Sequence, residues 1–565
     1  MTPEQMVTMY RKREAALDNE FSQLRPIFTD IRDFLAPRTA RFEGEQIHDG
    51  KRQDLNIINT NPRFAVRTLP AGMQSGVTSP LRPWFRLGIA DTDLMKFEPV
   101  KLWLNEVERI LREVMTRSNL YDRLKSSYGI LGTYGTSALF IEEDPEDLVR
   151  GYDLLMGSFR LATDARGRVN TLYRHTQLTC RQMKERAERR GWKLPDQVKV
   201  AWDSSNYEQY FDLLHIVERN ANYRANSLRP QDKLYVSVWL FKAAGNTSDA
   251  ILSLKGYDDL PMMCPRWDIV GEDVYGMGCG EVALGDAKQL QLMEKRKLQG
   301  IDKNVNPPMI ADASMRNKRV SNLPGDTTYV NGLISGKPGY APAYQVNPAL
   351  NELRTEIEAV EQRIDEAFYK DLFRMVVDMV DQKNITATQI NASREEKMLM
   401  LGPVLERLND ELLDPLIDRV FNIATRFGRI PPAPPELQGQ PLKVEYISVL
   451  AQAQKAIGNA NIERYIGFVG QTAQFFPEAL DKVDIDAAIE EYAEGVAVPP
   501  QIVRSEDEAN QIREARAKQQ AQQIQAQQAA AAVESAKTLS EADLETDNAL
   551  RRAVDAYSNQ QQAAQ

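Results

Sequence analysis

Histidine and cysteine are the scarce residues of this chain. Its 565 residues include three histidines, His48, His175 and His215, and three cysteines, Cys180, Cys264 and Cys279. The cysteines stand far apart and form no CxxC pair, so a zinc site would have to gather ligands from distant segments. Buried free thiols are the simpler expectation, with no disulfide framework. No apolar run approaches the roughly eighteen residues needed to cross a bilayer. The opening segment, MTPEQMVTMYRKREAALDNEF, lacks an apolar signal-peptide core and reads as an amphipathic helix, so assembly in the cytoplasm is expected.

The signatures of catalysis are also missing. NGLISGKP (331–338) approaches a phosphate-binding loop, but Asn331 stands where its first glycine belongs and Pro338 where Ser or Thr should bind magnesium. YGMGCGEVALG (275–285) is glycine-rich without a dinucleotide-type strand before it or a ribose-binding acid after it, so tight backbone packing is expected. No GxSxG elbow, HExxH or kinase signature occurs. The expectation is a protein that is not an enzyme, with no cofactor and no metal. Basic excess is absent too: the net charge is −10 and the pI about 5.3. Tight nucleic-acid binders neutralise phosphates with a strongly basic domain. If this chain meets DNA, it should let it slide past sparse basic contacts.

What is present is length and helical periodicity. At 565 residues the chain exceeds one hydrophobic core and should divide into modules. Residues 1 to about 200 read as mostly helical, with Leu102, Val107, Ile110, Leu111, Val114 and Leu120 at helical spacing. SALFIEE (137–143) reads as a strand, and from about 150 to 270 the period shifts toward two. His215 falls in such a strand, where a structural histidine is expected. Trp84 and Phe85, flanked by Arg82 and Arg86, are expected to anchor a core edge rather than to stack on bases. A helix with a basic C-terminal half follows, from about Glu281 to Asn304.

Residues 305–348 differ from their surroundings. They hold six prolines, four glycines and no Glu, while Arg316, Lys318, Arg319 and Lys337 outnumber Asp312 and Asp326. This turn-rich insert, locally positive, should be a protruding tip between two helices. The second helix is expected from Ala349 to about Asp381, with Leu353, Ile357, Val360, Ile364, Phe368, Leu372, Met375 and Met379 three or four apart. A short link, residues 381–385, leads to a third long helix. Thr386 and Gln389 form a capping box at its start, apolar residues recur from Met398 to Phe427, and Gly428 with Pro431–Pro435 ends it. Pro403 and Pro415 should bend it. KVEYISVL (443–450) is expected to pair back as a strand, two shorter helices follow, and the Ala/Gln-rich 501–565 is either disordered or a helix in a symmetric bundle.

The TATQ segment with LGPVL, ELLDPLIDR and FGRIPPAPP resembles the head-to-tail connector (portal) proteins of short-tailed bacteriophages. LPAGMQSGVTSPLRPWFRL (69–87), SSYGILGTYGTSALFIEED (126–144), YGMGCGEVALGDAKQLQLMEKRKLQG (275–300) and NPPMIAD (306–312) match in the same order. Gln389 replaces the expected Glu, which the capping geometry accepts. The resemblance implies an α+β, helix-rich portal fold: a wing (1–280), a first stem helix (281–304), a clip (305–348), a second stem helix (349–380), a tunnel loop (381–385), a long kinked wing helix (386–430), wing return and crown (431–500), and a C-terminal helix (501–565). It implies a roughly twelve-subunit ring at one capsid vertex of the virion, assembled in the bacterial cytoplasm. Double-stranded DNA would pass through it during packaging and ejection. Gln382, Lys383 and Asn384 would face the channel, and Arg316, Lys318, Arg319 and Lys337 would dock the terminase large subunit and then the tail adaptor. Major capsid and scaffolding proteins, and internal ejection proteins at the C-terminal end, are the other implied partners. A different virion ring such as a tail adaptor, or a DNA-processing enzyme with scattered carboxylates, are the competing readings.

Overall fold

The computed structural model describes residues 2–42, 44–45, 53–91, 94–95, 97–225, 227, 229–311, 316, 333–334, 337–338, 340–342, 349–373, 401–437 and 442–448. Beyond these it describes 462, 465–473, 475–476, 478, 482–495, 506–541 and 552. The chain divides into two units, Met1–Leu480 and Asp481–Gln565.

The first unit opens with α1 (Pro3–Phe34). Thr2 and Gln5 form a capping box, each side chain accepting the other's backbone N–H, and Pro3 occupies the first turn where its missing N–H costs nothing. Then come α2 (Asn61–Gly76), β1 (Phe85–Ile89), α3 (Glu98–Arg117) and α4 (Leu120–Tyr134). β2 (Ala138–Asp144) lies on the strand expected at 137–143, and β3 (Leu148–Leu154), β4 (Phe159–Thr163) and β5 (Val169–Thr179) follow where the period shifts near 150. After α5 (Cys180–Arg190) and α6 (Asp196–Asp203), β6 (Tyr210–Arg219), β7 (Tyr235–Phe241) and β8 (Ile251–Tyr257) complete an antiparallel meander, β4-β5-β6-β7-β8. One face of this sheet, including Tyr173, Leu214, Ile216, Val238 and Leu240, packs with Val7 and Tyr10 of α1. The other, including Leu213, Trp239 and Phe241, packs with Cys180 and Met183 of α5.

A second sheet, β3-β2-β9, uses the short β9 (Met262–Met263). The helix expected from 281 runs as α7 (Cys279–Val305). Within the insert, β10 (Met309–Ala311) pairs with β13 (Tyr340–Pro342), and β11 (Leu333–Ile334) with β12 (Lys337–Pro338). The returning helix α8 (Leu350–Ala367) stops sooner than expected. Tyr369 takes a left-handed backbone (φ 52°), and a short helical turn resumes over 370–373. The reason lies in Phe368 and Phe373, both fully buried. Five residues apart on an unbroken helix, they would point about 140° apart; the break lets both enter the core.

Helix also covers 401–408, followed by a π-turn, Asn409–Leu413, and α9 (Asp414–Arg426). Pro415 has no N–H to give the Glu411 carbonyl, and just before it the winding relaxes: Asp414 N–H donates five residues back, to Asn409. Gly428, at φ 66°, ends the helix as its position suggested. β14 (Leu442–Tyr446) then pairs with β1. Trp84 and Phe85 are buried, with Trp84 Nε1 donating to the Tyr121 hydroxyl (3.1 Å), so this cluster is a core anchor. All three cysteines are free and buried. In the second unit, α10 (Ile485–Gly495) and α11 (Glu506–Glu541) are joined by a two-pronged Arg513–Asp486 salt bridge. Among the described residues no helix is long and apolar enough to cross a membrane.

The glycine-rich turn before α7 is a close backbone contact. A Cβ on Gly278 would lie 2.4 Å from the Gly135 nitrogen, and one on Gly280 2.2 Å from the Thr133 carbonyl. Gly135 itself has φ 80°, and a Cβ there would sit 2.1 Å from the Gly276 carbonyl oxygen. Gly135→Ala therefore combines a left-handed backbone with a backbone clash and should cost at least about 3 kcal/mol. The expected outcome is a marked drop in apparent Tm; a variant melting within a degree of wild type would contradict it.

Candidate functional site

The features that could act mechanically are the helix pair α7/α8, the insert it carries, and the helix over 401–426. α7 and α8 run antiparallel. Ala283, Ala287 and Leu290 form the buried stripe of one, Ile357, Val360 and Ile364 that of the other, and Arg363 pairs with Asp286 (3.1 Å). Residues 58–61 staple them. Gln291, 4% exposed, accepts N–H bonds from Ile58 (2.7 Å) and Asn59 (2.8 Å) and returns one to the Asn59 carbonyl (2.9 Å). The Asn59 amide then donates to Glu361 on α8 (2.7 Å) and Glu294 on α7 (3.2 Å). A buried amide with both ends satisfied fixes geometry, whereas an unsatisfied one would be costly. Periodicity along the chain does not reveal this junction. The available signal was a Gln at 291 on the stripe 283, 287, 290, one polar residue in an apolar face.

The helix over 401–426 is tied down by arginines. Arg266, 5% exposed, donates to Glu411 in the π-turn through its backbone N–H (2.9 Å), Nε (3.2 Å) and Nη2 (2.5 Å). Arg407 Nη1 donates to the Trp267 carbonyl (2.9 Å). Arg419, 1% exposed, pairs with Asp259 at 2.8 Å, and Arg426 bridges Asp259 and Glu143. Breaking such buried pairs by removing one partner leaves an uncompensated charge, so they hold one arrangement in place.

Of the candidate site residues, Arg316 lies in an exposed turn of the insert and Lys337 on β12. Lys318, Arg319, Gln382, Lys383, Asn384, Thr386 and Gln389 lie outside the described residues. On α7, Lys288 pairs with Asp30 and Lys297 with Glu294, while Lys295, Arg296 and Lys303 are exposed.

Among the described residues one group has metal-ligand types: Glu14 and Asp18 on α1 with His175 on β5. Cations already occupy it. Lys242 Nζ lies 3.0 Å from Glu14 and 3.2 Å from His175 Nδ1, and Arg160 Nε 2.6 Å from Asp18. It is an ion-pair network tying α1 to the sheet. Burial, then Lys242 and Arg160, push the His175 pKa down to about 3. Burial, then nearby arginines, hold His215 well below its ordinary value, and its Nε2 meets the Ser237 hydroxyl at 3.0 Å.

A family model described as "Bacteriophage head to tail connecting protein" matches residues 8–503. The chain belongs to this family. It is 43% identical over 553 residues to the portal protein of Salmonella phage epsilon15, covering 98% of each chain. It is 36% identical over 529 residues to the probable portal protein of Bordetella phage BPP-1, covering 94% of each. A solved chain from the "Neck of empty GTA particle" aligns over 72% of this chain and 86% of its own, at 12% identity and a TM-score of 0.33. In a connecting protein, staples of this kind suit a part that must keep its shape.

The two depressed histidines predict acid lability. Between about pH 6.5 and 3 the unfolded chain binds a proton that folded His175 refuses, and buried His215 acts in the same direction, so stability falls as pH falls. At pH 5 His175 should contribute about 2 kcal/mol of that loss. Burial raises the Glu14 pKa, which works in the opposite direction, so the comparison with His175→Gln isolates the histidine. Apparent Tm from pH 7 to 5 should fall less steeply in that variant; parallel slopes would contradict the assignment.

Proposed function

We propose that this chain is a phage portal, a ring subunit forming the channel at one capsid vertex through which double-stranded DNA is packaged, retained and ejected. The near end-to-end identity with the epsilon15 portal protein carries the reading. A ring of this kind, about twelve-fold, needs head-to-tail interfaces that close by rotation. On this reading residues 1–280 belong to the wing, α7 and α8 to the stem, 305–348 to the clip, and 431–500 to the wing return and crown. The clip, with Arg316, Lys318, Arg319 and Lys337, would dock the terminase large subunit during packaging and the tail adaptor afterward. Capsid and scaffolding proteins would surround the wing, and ejection proteins the C-terminal end. The chain would perform no catalysis and reside in the virion after assembly in the host cytoplasm.

The acidic balance of the chain suits passage rather than grip. Repeated around a ring, Lys383 in the 381–385 loop would supply several weak, exchangeable phosphate contacts. Purified protein should image as a ring with a central channel under assembly-permitting salt; a monodisperse monomer or dimer would overturn the proposal. Lys383→Glu should leave rings intact and lower the DNA content or retention of particles built from them. Equal content and equal retention would make 381–385 an ordinary helix–helix turn.

A further inference from the structure

One helix of the first unit keeps an aromatic face in water. It covers 465–473, and the N–H groups of Phe475 and Phe476 both donate to the Thr472 carbonyl (3.0 and 2.9 Å), which adds a last turn. Tyr465, Phe468, Thr472 and Phe475 follow one another at three- and four-residue steps, the spacing that lines up one helix face, and Phe476 adjoins them. Tyr465 is 53% exposed, Phe468 67%, Phe475 80% and Phe476 69%. Together they show roughly 500 Å² of aromatic surface, as much as the largest apolar patch on a typical monomer.

The opposite side of the helix carries Gly467 and Gly470. Glycine weakens a helix interior, so a pair there calls for a packing reason. At Gly135, Gly278 and Gly280 the chain's own backbone supplies it, whereas a Cβ added to Gly467 or Gly470 would meet nothing within 4 Å. Among the described residues no neighbour explains these two glycines. Residues 465–476 also hold no Asp, Glu, Lys or Arg, so a polyanion finds no cation there and the surface suits an apolar protein partner. Large rings on one side and bare backbone on the other are complementary shapes on a single helix. Two unlike surfaces that fit each other are what a head-to-tail contact between identical subunits requires, and rotation closes such contacts into a ring.

We propose that residues 465–476 form a seam between copies of this chain, in which Tyr465, Phe468 and Phe475 of one subunit pack on the Gly467 and Gly470 side of the same helix in the next. The glycines let the rings approach the backbone closely. Each seam buries roughly 500 Å² on the aromatic side and a similar area on the receiving side, which together reach the size of a specific interface. The seam rests on the ring reading proposed above, and it gives that ring an apolar contact at a defined place.

Engineered cysteines test it, because the three natural ones are buried. Phe468→Cys and Gly470→Cys combined in one full-length chain should, on oxidation under ring-forming conditions, give a ladder of covalent multimers, and neither substitution alone should do so. A covalent dimer from Phe468→Cys alone means that like faces meet, which overturns the head-to-tail seam. Phe475→Ser on the aromatic side and Gly470→Leu on the receiving side should each raise the protein concentration needed for rings at least about tenfold. Both positions are exposed, so the unassembled variants should melt no lower than wild type. Gly470→Leu replaces a helix-weakening residue, and a purely structural role for Gly470 predicts no loss of assembly. Wild-type rings whose double-cysteine variant gives no ladder, or variants that assemble at the wild-type concentration, overturn the seam and leave the ring reading standing. Absence of rings from wild-type protein overturns both.

Discussion

The first unit depends on a place where backbone touches backbone. The end of α4, the turn at Gly135 and the loop entering α7 meet with no side chain between them, so close that Gly276, Gly278 and Gly280 admit no Cβ. Hydrogen bonds lock the contact: Trp267 N–H donates to the Gly135 carbonyl (2.8 Å) and Gly276 N–H to the Thr136 hydroxyl (2.8 Å). Three elements take their direction from it. β2 leaves from Gly135, α7 starts at Cys279, and Arg266, one residue before Trp267, reaches across to Glu411. The helix pair that presents the insert and the helix over 401–426 are thus aimed from one junction.

Around it, charged groups do the holding. Arg266–Glu411, Arg419–Asp259 and the Glu14–Lys242–Arg160–Asp18 network are partly or wholly withdrawn from water. Such pairs gain little over well-packed apolar residues but penalise every arrangement that separates them. A connecting protein that must keep its geometry has use for that property. The π-turn at Asn409–Leu413 illustrates it: a widened helical turn, induced beside Pro415, is pinned through Glu411.

Much of this was legible in residues. A helix in the opening segment, another from about 281 to 304, the cap at Gly428, the structural role of His215 and the packing role of the glycine-rich turn follow from capping chemistry, periodicity and the missing neighbours of a phosphate loop. The family is legible as well, because its motifs occur in order. The break after Ala367 was not, since it arises from the demand that Phe368 and Phe373 both be buried, and Phe373 packs against Gly72, some three hundred residues away in the chain.

Sequence by itself determined the local features: where capped helices begin and end, where proline forbids continuation, and which catalytic motifs are absent. These depend on neighbours within a few residues, which spacing records. Only tertiary structure decided which charges meet. Asn59 with Gln291 and Glu361, Arg266 with Glu411, and Arg190 with Glu142 are brought together by strand register and helix packing over long chain separations. Coulombic and hydrogen-bond energies depend on distance in space, and a single sequence carries no measure of that distance.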